Sequence, residues 1–347
     1  MATTQVAVAT MKVAQVSGPR ADFQIVERES PTPGAGQVRI KVQACGVCHS
    51  DAFTKEGTSP GIQYPRVPGH EVVVIIDDVG EGLLGWKTGQ RVGVGWHGGH
   101  DGTCFECRRG DFSHCHNRQI PGMSYDGGYQ QYMVAPLEAL VAMPASLGHA
   151  EAAPLLCAGT TTFDALRRSG ARPGDLVAVL GVGGLGHLAI QFAHKFGYKV
   201  AAIGRGSGSA TLATTLGASQ YIDAVTENAA QALQRLGGAQ VILATAPSSK
   251  AISELVDGLT VTGKLLVVGV TADPIEATPL QLLVGGRGSR SIQGYASGTP
   301  ADSEDTLRFA ELSGVRPMIE TYPLERAADA YARMMSGQAR FWVVLTM

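Results

Sequence analysis

The first half of the chain reads as short apolar runs of period two, broken by glycine and proline. "QVRIKVQA" (37–44), "EVVVIIDDVG" (71–80), "QRVGVGW" (90–96) and "QQYMVAP" (130–136) are such runs, and together they predict a β-rich domain of many short strands. Past Cys157 the texture changes. "DLVAVLGVGGLGHLAIQFAHKFGYKVAAIG" (175–204) predicts a buried strand, a glycine turn, an amphipathic helix and a second strand. The unit then repeats as a helix around Leu212–Leu216, strand "SQYI", helix "NAAQALQRLG", strand "QVILA", helix "AISELVDGL" and strand "KLLVVGV". Strands alternating with helices of roughly 10–15 residues predict a parallel, doubly wound sheet. From "DTLRFAELSG" onward a helix, a loop, a second helix (Leu324–Met335) and a final strand "FWVVLTM" leave that rhythm, and they are expected to return to the first domain. The fold class is therefore α/β, with a discontinuous first domain (1–157 and 295–347) and a second of 158–294.

A length of 347 residues agrees with two domains, and 44% hydrophobic with 17% charged residues is a globular composition. A formal charge of −2 leaves no basic footprint for nucleic acid. No apolar run approaches the ~20 residues of a bilayer span. "MATTQVAVATMKVAQ" lacks a charged stretch followed by a long apolar one, so no secretory signal is read there; a short frayed extension before Met11 and a cytoplasmic protein are expected. Six cysteines in such a chain argue for reduced thiols or thiolate ligands, not a disulfide framework.

Gly181-Val182-Gly183-Gly184-Leu185-Gly186 fits G-x-G-x-x-G, between a predicted strand and a predicted helix. The first glycine permits the tight turn, the second lets the backbone approach a pyrophosphate, and the third allows close helix–strand packing. An acid about 20 residues on normally holds the ribose 2′-hydroxyl of NAD. Gly204 and Arg205 stand there instead, and Asp223 belongs to the next strand. Loss of the acid removes repulsion of a 2′-phosphate and Arg205 can attract one, which favours NADP(H). The other reading is a solvated Arg205 stacking on adenine, with NAD(H) still used.

"GVCHSD" places Cys48, His49, Ser50 and Asp51 on one loop, "GHE" supplies His70 and Glu71, and "LLCAGTTT" supplies Cys157 and Thr161. Two thiolates and one imidazole can converge on one zinc and leave a fourth position open. With these motifs in this order, the chain resembles the zinc-dependent alcohol dehydrogenases of the medium-chain dehydrogenase/reductase superfamily nearly end to end. The resemblance implies a GroES-like catalytic domain, a Rossmann cofactor domain and an active site in the cleft between them. It implies that Cys48, His70 and Cys157 bind a catalytic zinc, that Glu71 serves as an alternative ligand, and that Asp51 orients His70. Cys45 is expected to stay reduced and unligated, since pairing it takes Cys48 from the metal.

The implied chemistry is reversible hydride transfer between a primary or secondary alcohol and NAD(P), with zinc polarising the alcohol oxygen. Ser50 is placed to accept the alcohol's proton. Many relatives have a histidine at Phe53; here the proton is expected to leave through cofactor hydroxyls, His49 or water. His49 is expected at the cofactor pyrophosphate, and Trp96 and His97 at the substrate pocket wall. Further cofactor contacts are expected from Thr161, from Val268-Gly269-Val270, and from Ser291 and Gln293 at the carboxamide. The relatives are dimers or tetramers, so a homotetramer or homodimer acting on a small-molecule alcohol or aldehyde is implied.

The family's structural zinc loop reads C-G-x-C-x-x-C-x-x-G-x-x-x-x-C. Cys104, Cys107, Gly110 and Cys115 keep its register, while Asp101 stands at the first ligand position. A carboxylate oxygen is an acceptable zinc ligand, weaker than a thiolate for a borderline-soft ion. An Asp–Cys₃ zinc, substitution by His100 or His114, and an empty lobe all remain open. Two further departures are Val74, where relatives carry glycine, and Trp342, where they carry a basic residue on the pyrophosphate. The second is expected to weaken cofactor binding and raise its KM, with Arg340 able to compensate only through a local twist.

Overall fold

In the computed structural model, which describes residues 9–81, 85–284 and 288–347, the β-branched runs form fifteen strands. They are β1 (Thr10–Val16), β2 (Phe23–Glu29), β3 (Gln37–Val47), β4 (Val72–Val79), β5 (Arg91–Val94), β6 (Tyr132–Pro136), β7 (Leu140–Ala142), β8 (Leu176–Leu180), β9 (Lys199–Gly204), β10 (Gln220–Asp223), β11 (Ala239–Ala244), β12 (Leu259–Val267), β13 (Ser291–Gly294), β14 (Ile319–Pro323) and β15 (Trp342–Thr346). The expected frayed extension falls mostly on residues 1–8, outside the described residues. Thr10 already opens β1, an antiparallel partner of β2.

The chain divides into two units. The first comprises 1–157, 298–312 and 317–347, and the second 158–297 and 313–316. The return to the first unit thus comes at Gly298, not at residue 295, and Ser313–Arg316 go with the second. In the first unit a seven-stranded sheet runs β14-β15-β3-β4-β5-β7, with β6 also on β3. Only β14 and β15 pair in parallel; the other ladders are antiparallel. Alternation puts Val38, Ile40 and Val42 of β3 into a core with Ile76, Val92, Met133 and Leu345, all essentially inaccessible to water. The eleven-residue β3 is the spine of this unit, and its carboxyl end delivers "GVC" to the site.

The second unit is a six-stranded sheet in the order β10-β9-β8-β11-β12-β13, with every ladder parallel. This is the doubly wound order, whose reversal falls between β8 and β11, where ligands sit beyond the strand ends. Strand β12 begins at Leu259, five residues before the predicted "KLLVVGV", and stops at Val267, so Val268–Val270 lie in the turn beyond it. The predicted helix "AISELVDGL" is an α-helix at Ser249–Glu254 followed by a 3₁₀ turn to Gly258. The helix Ala158–Arg167 has nine of its ten residues buried.

Candidate active site and metal centres

At the end of β3 the backbone turns through a 3₁₀ segment, His49–Asp51, which aims Cys48 and Asp51 inward. Glycine 69, at φ +106°, makes a turn whose Cβ position lies 2.6 Å from the Tyr129 ring and 2.8 Å from Cys45 Sγ, and so presents His70 and Glu71. Cys157 arrives after the 3₁₀ turn Ala153–Leu156. One ligand atom each of Cys48, His70, Glu71 and Cys157 lies within 4.8 Å of all the others. Cys45 is fully buried against Gly69 and Gly128, stands apart from this set, and is free, as are all six cysteines.

Asp51 is saturated with donors. Its Oδ1 meets His70 Nδ1 at 3.0 Å and accepts from the Gly69 N–H at 3.2 Å. Its Oδ2 accepts from the Cys48 N–H and from the Tyr129 hydroxyl, both at 2.9 Å. Burial, then Asp51 itself, pushes the Tyr129 hydroxyl well up, so it remains a donor. The carboxylate therefore fixes a proton on His70 Nδ1 and leaves Nε2 bare. Nε2 is buried with no partner, as is Glu71 Oε1. Trp96 packs edge-on against the His70 ring at 4.9 Å.

Two orphaned acceptors beside two buried sulfurs draw positive charge. A hydrogen bond from Cys157 makes Cys48 the thiolate of the pair, with burial opposing and His70 assisting; Cys157 shifts the other way. Burial lowers His70, but Asp51 and Cys48 outweigh it and hold the ring well above its ordinary value, so a proton competes for Nε2 wherever no other cation fills the site. Burial and then the Cys48 charge push Glu71 well up, while the Trp342 indole, donating to Oε2 at 2.6 Å, pulls it down. Two sulfurs, an imidazole nitrogen and a carboxylate oxygen at this spacing fit zinc.

The loop after Trp96 carries a second cluster. Ligand atoms of Asp101, Cys104, Cys107 and Cys115 also lie within 4.8 Å of one another. Asp101 Oδ1 accepts from the N–H groups of Thr103 and Cys104 at 2.8 and 2.9 Å, and Oδ2 from Asn117 at 2.6 Å. These bonds, that from Cys104 first, hold its carboxyl well below the usual carboxylate range. Cys115 Sγ accepts from Asp101 N–H at 3.4 Å and Cys104 Sγ from Cys107 N–H at 3.5 Å, and the second bond draws Cys104 below its ordinary thiol value. The two histidines are engaged elsewhere: His100 Nδ1 lies 2.9 Å from His97 Nε2, and His114 pairs with Asp111. His97 is buried, with Nδ1 unpartnered.

In the second unit the glycine turn follows β8 and caps the helix Gly184–Lys195. Gly181 has φ +96°, and a Cβ at Gly186 would meet Gly181 O at 1.9 Å, so close packing demands glycine there. Gly183 faces open space, as a pyrophosphate approach requires, and Leu185 follows in the first helical turn. Thr245, unread in the sequence, donates to Leu180 O at 2.8 Å beside the turn. Gly204 exists for a local reason as well: a Cβ would lie 2.3 Å from Tyr221 Oη. The acid missing there is supplied from the side, because Asp223 is the ladder partner of Gly204. Its Oδ1 accepts from Gly206 N–H at 2.7 Å and Val225 N–H at 2.9 Å, leaving Arg205 exposed on the loop it braces.

Not every expected cofactor residue gathers at the strand ends. Gly269 abuts Thr245 O, where a Cβ would approach to 2.7 Å, and Val270 is exposed. Gln293 pairs with Leu266 near the end of β13, whereas Ser291 pairs with Lys264, three residues down the strand. That is about 10 Å below the carboxyl edge at ~3.3 Å per residue. Thr161 is buried in the helix Ala158–Arg167, and Ser50 and Phe53 are half-buried near Cys48 in sequence.

A β-sheet unit bearing a buried thiol–imidazole–carboxylate cluster, with a doubly wound unit bearing a glycine-rich turn, is the make-up of a metal-dependent dehydrogenase. Residues 34–145 match the family model "Alcohol dehydrogenase GroES-like domain" and 184–312 match "Zinc-binding dehydrogenase". The chain is 46% identical over 315 residues to the alcohol dehydrogenase patD of Penicillium expansum, covering 91% of each. It is 36% identical to an alcohol dehydrogenase of Geobacillus stearothermophilus, covering 96% of this chain and 99% of that one. Among solved structures, a cinnamyl alcohol dehydrogenase of Sorghum bicolor superposes with a TM-score of 0.85 at 29% identity, covering 97% and 98%. The chain belongs to the zinc-type alcohol dehydrogenases of the medium-chain dehydrogenase/reductase superfamily. It is an oxidoreductase that interconverts alcohols and aldehydes with a nicotinamide cofactor. No helix among the described residues is long and apolar enough to cross a membrane.

Proposed function

We propose that Cys48, His70 and Cys157 hold a catalytic zinc, with Glu71 as the alternative ligand, and that Ser50 takes up the proton of the alcohol. The observation that carries this reading is the bare, buried His70 Nε2 within 4.8 Å of two thiols and a carboxylate. Zinc bound there supplies Lewis acidity that brings an alcohol hydroxyl's pKa toward neutrality, and a nicotinamide ring supplies the hydride acceptor. Asp51 keeps the His70 tautomer right for that task. Ser50 accepts the hydroxyl proton and passes it to His49, cofactor hydroxyls or water, since Phe53 carries no exchangeable proton. Asp101, Cys104, Cys107 and Cys115 hold a second, structural zinc.

The cofactor in this reading is NADP(H). Its pyrophosphate lies along Gly181, Gly183, Gly184, Leu185 and Gly186, and its 2′-phosphate lies by Gly204 and Arg205. The exposed Arg205 on the loop after Gly204 supports this, as a cation able to pair with a 2′-phosphate. Thr161, His49, Val268–Val270 and Gln293 complete the cofactor contacts. We further propose a cytoplasmic homotetramer or homodimer acting on small alcohols and aldehydes. Likeness to the Sorghum bicolor enzyme favours a second reading, a preference for bulky aryl aldehydes, which an aldehyde panel separates from short aliphatic preference.

Elemental analysis of protein freed of adventitious metal tests the metal assignment. Two zincs per chain are expected, falling to one in Asp101→Ala, with activity lost to a chelator. One zinc in the unaltered chain means that the Asp101 lobe is empty. None, in protein purified without chelators, overturns the catalytic assignment.

A further inference from the structure

Trp342 opens β15, and the register of β15 on β3 (Val343 opposite Val47) brings it beside the turn at Cys48. Its indole faces inward, 7% exposed, and Nε1 donates to Glu71 Oε2 at 2.6 Å. On the other side a Cβ at Gly46 would lie 1.8 Å from the same Oε2, so the carboxylate is confined between a missing side chain and an indole. The Gly46 N–H also binds the Glu71 carbonyl, at 3.0 Å, which fixes the backbone beneath it. Oε2 is thus committed. Oε1 is buried and has no partner, in a cluster that already holds two thiols and a bare imidazole nitrogen.

An indole N–H satisfies an oxygen without adding charge. A buried carboxyl group held this way is not neutralised by its partner, and its free oxygen is the donor that a cation entering the cluster would meet. We propose that Trp342 is a positioning residue of the metal centre, which fixes Glu71 through Oε2 so that Oε1 is the available ligand. Trp342 and Glu71 therefore act as one unit controlling how firmly the metal is held. This inference rests on the assignment of Cys48, His70 and Cys157 as zinc ligands.

The test is zinc release from the loaded full-length enzyme to an excess of a chelating dye, for wild type, Trp342→Phe, Glu71→Gln and the double variant. Trp342→Phe keeps an aromatic filler and removes the donor, and it is expected to speed release roughly tenfold. Glu71→Gln is expected to do the same. The double variant is expected to be no faster than either single one, because the pair has already been broken. Trp342→His, whose ring N–H can take the same bond, is expected to restore slow release. Release from Trp342→Phe within twofold of wild type, or full additivity in the double variant, overturns the proposal. Should Trp342→Phe not fold, Glu71→Gln decides alone, since unchanged release there removes Glu71 from the unit. Wild type that holds no zinc at this site instead sinks the ligand assignment itself.

Discussion

Replacing Asp51 by asparagine tests how the metal site is organised, because four donors converge on that one carboxylate. An amide keeps one acceptor oxygen and turns an NH₂ group on the other pair. If the oxygen stays with His70 and Gly69, the NH₂ faces the Cys48 N–H and the Tyr129 hydroxyl. Tyrosine can rotate its proton and accept, so one buried backbone N–H is orphaned, at about 1–3 kcal/mol of stability. If the oxygen moves to the other side, His70 Nδ1 meets a donor and must shift its proton to Nε2, the nitrogen the metal needs; this orientation is the worse one. In either case the imidazole loses its charged partner, which lowers metal affinity by about 10–100-fold. Zinc affinity by competition with a chelator, together with urea unfolding of the apo form, reads both effects. Zinc affinity within twofold of wild type in Asp51→Asn would refute the claim that this carboxylate organises His70.

Three other perturbations probe different parts of the molecule. Gly186→Ala pushes a methyl to 1.9 Å from the backbone oxygen of Gly181, which cannot move aside; cofactor Kd should rise more than tenfold in a fluorescence titration, and an unchanged Kd would mean the turn is more compliant than its geometry. Arg205→Ala should raise the KM for NADPH by about 10–100-fold, the size of a lost charged hydrogen bond of roughly 1.5–3 kcal/mol, while that for NADH stays within twofold; equal effects on both discard the 2′-phosphate role. Burial lowers His187 to about 4, so between pH 4 and its unfolded value near 6.5 the unfolded chain binds the extra proton. Stability therefore falls as pH drops through that window, by about 2 kcal/mol between pH 7 and 5 for this one group. His187→Gln should lose that much less than wild type in urea unfolding, and equal losses would remove His187 as the source.

What could be read in the chain beforehand was whatever rests on local periodicity or on fixed spacing. Five of the six parallel strands of the second unit, β8 to β12, stand where strand-like runs announced them, since a covered strand is largely apolar along its length; β13 was not read as a strand, being short and only partly buried. Strand β2 escaped notice because its burial is irregular, four of its seven residues being exposed and the other three only partly covered. The helix Ala158–Arg167 escaped for a different reason: three threonines and a glycine are poor helix formers. At the site, the motif residues gave the donor set. The pairing of Trp342 with Glu71 joins residues 271 positions apart, and no periodicity encodes it. Asp223 was visible as an acid, but its place beside Gly204 depends on strand register, which sequence spacing along one strand does not report.

The place of β15 in the first sheet also has a consequence for how the protein is made. Cys48, His70 and Cys157 leave the ribosome well before the strand that carries Trp342 to Glu71. At 5–20 residues per second, the 271 residues between those partners take roughly 15–50 s to add. During that interval residues 158–297, which make up nearly all of the second unit, can fold as a contiguous block, while the first unit still lacks β14 and β15. The thiols at 48, 104, 107, 115 and 157 are thus on a growing chain before their sheet is closed. Metal that arrives then meets open loops, and the Glu71 corner closes only once β15 has been made.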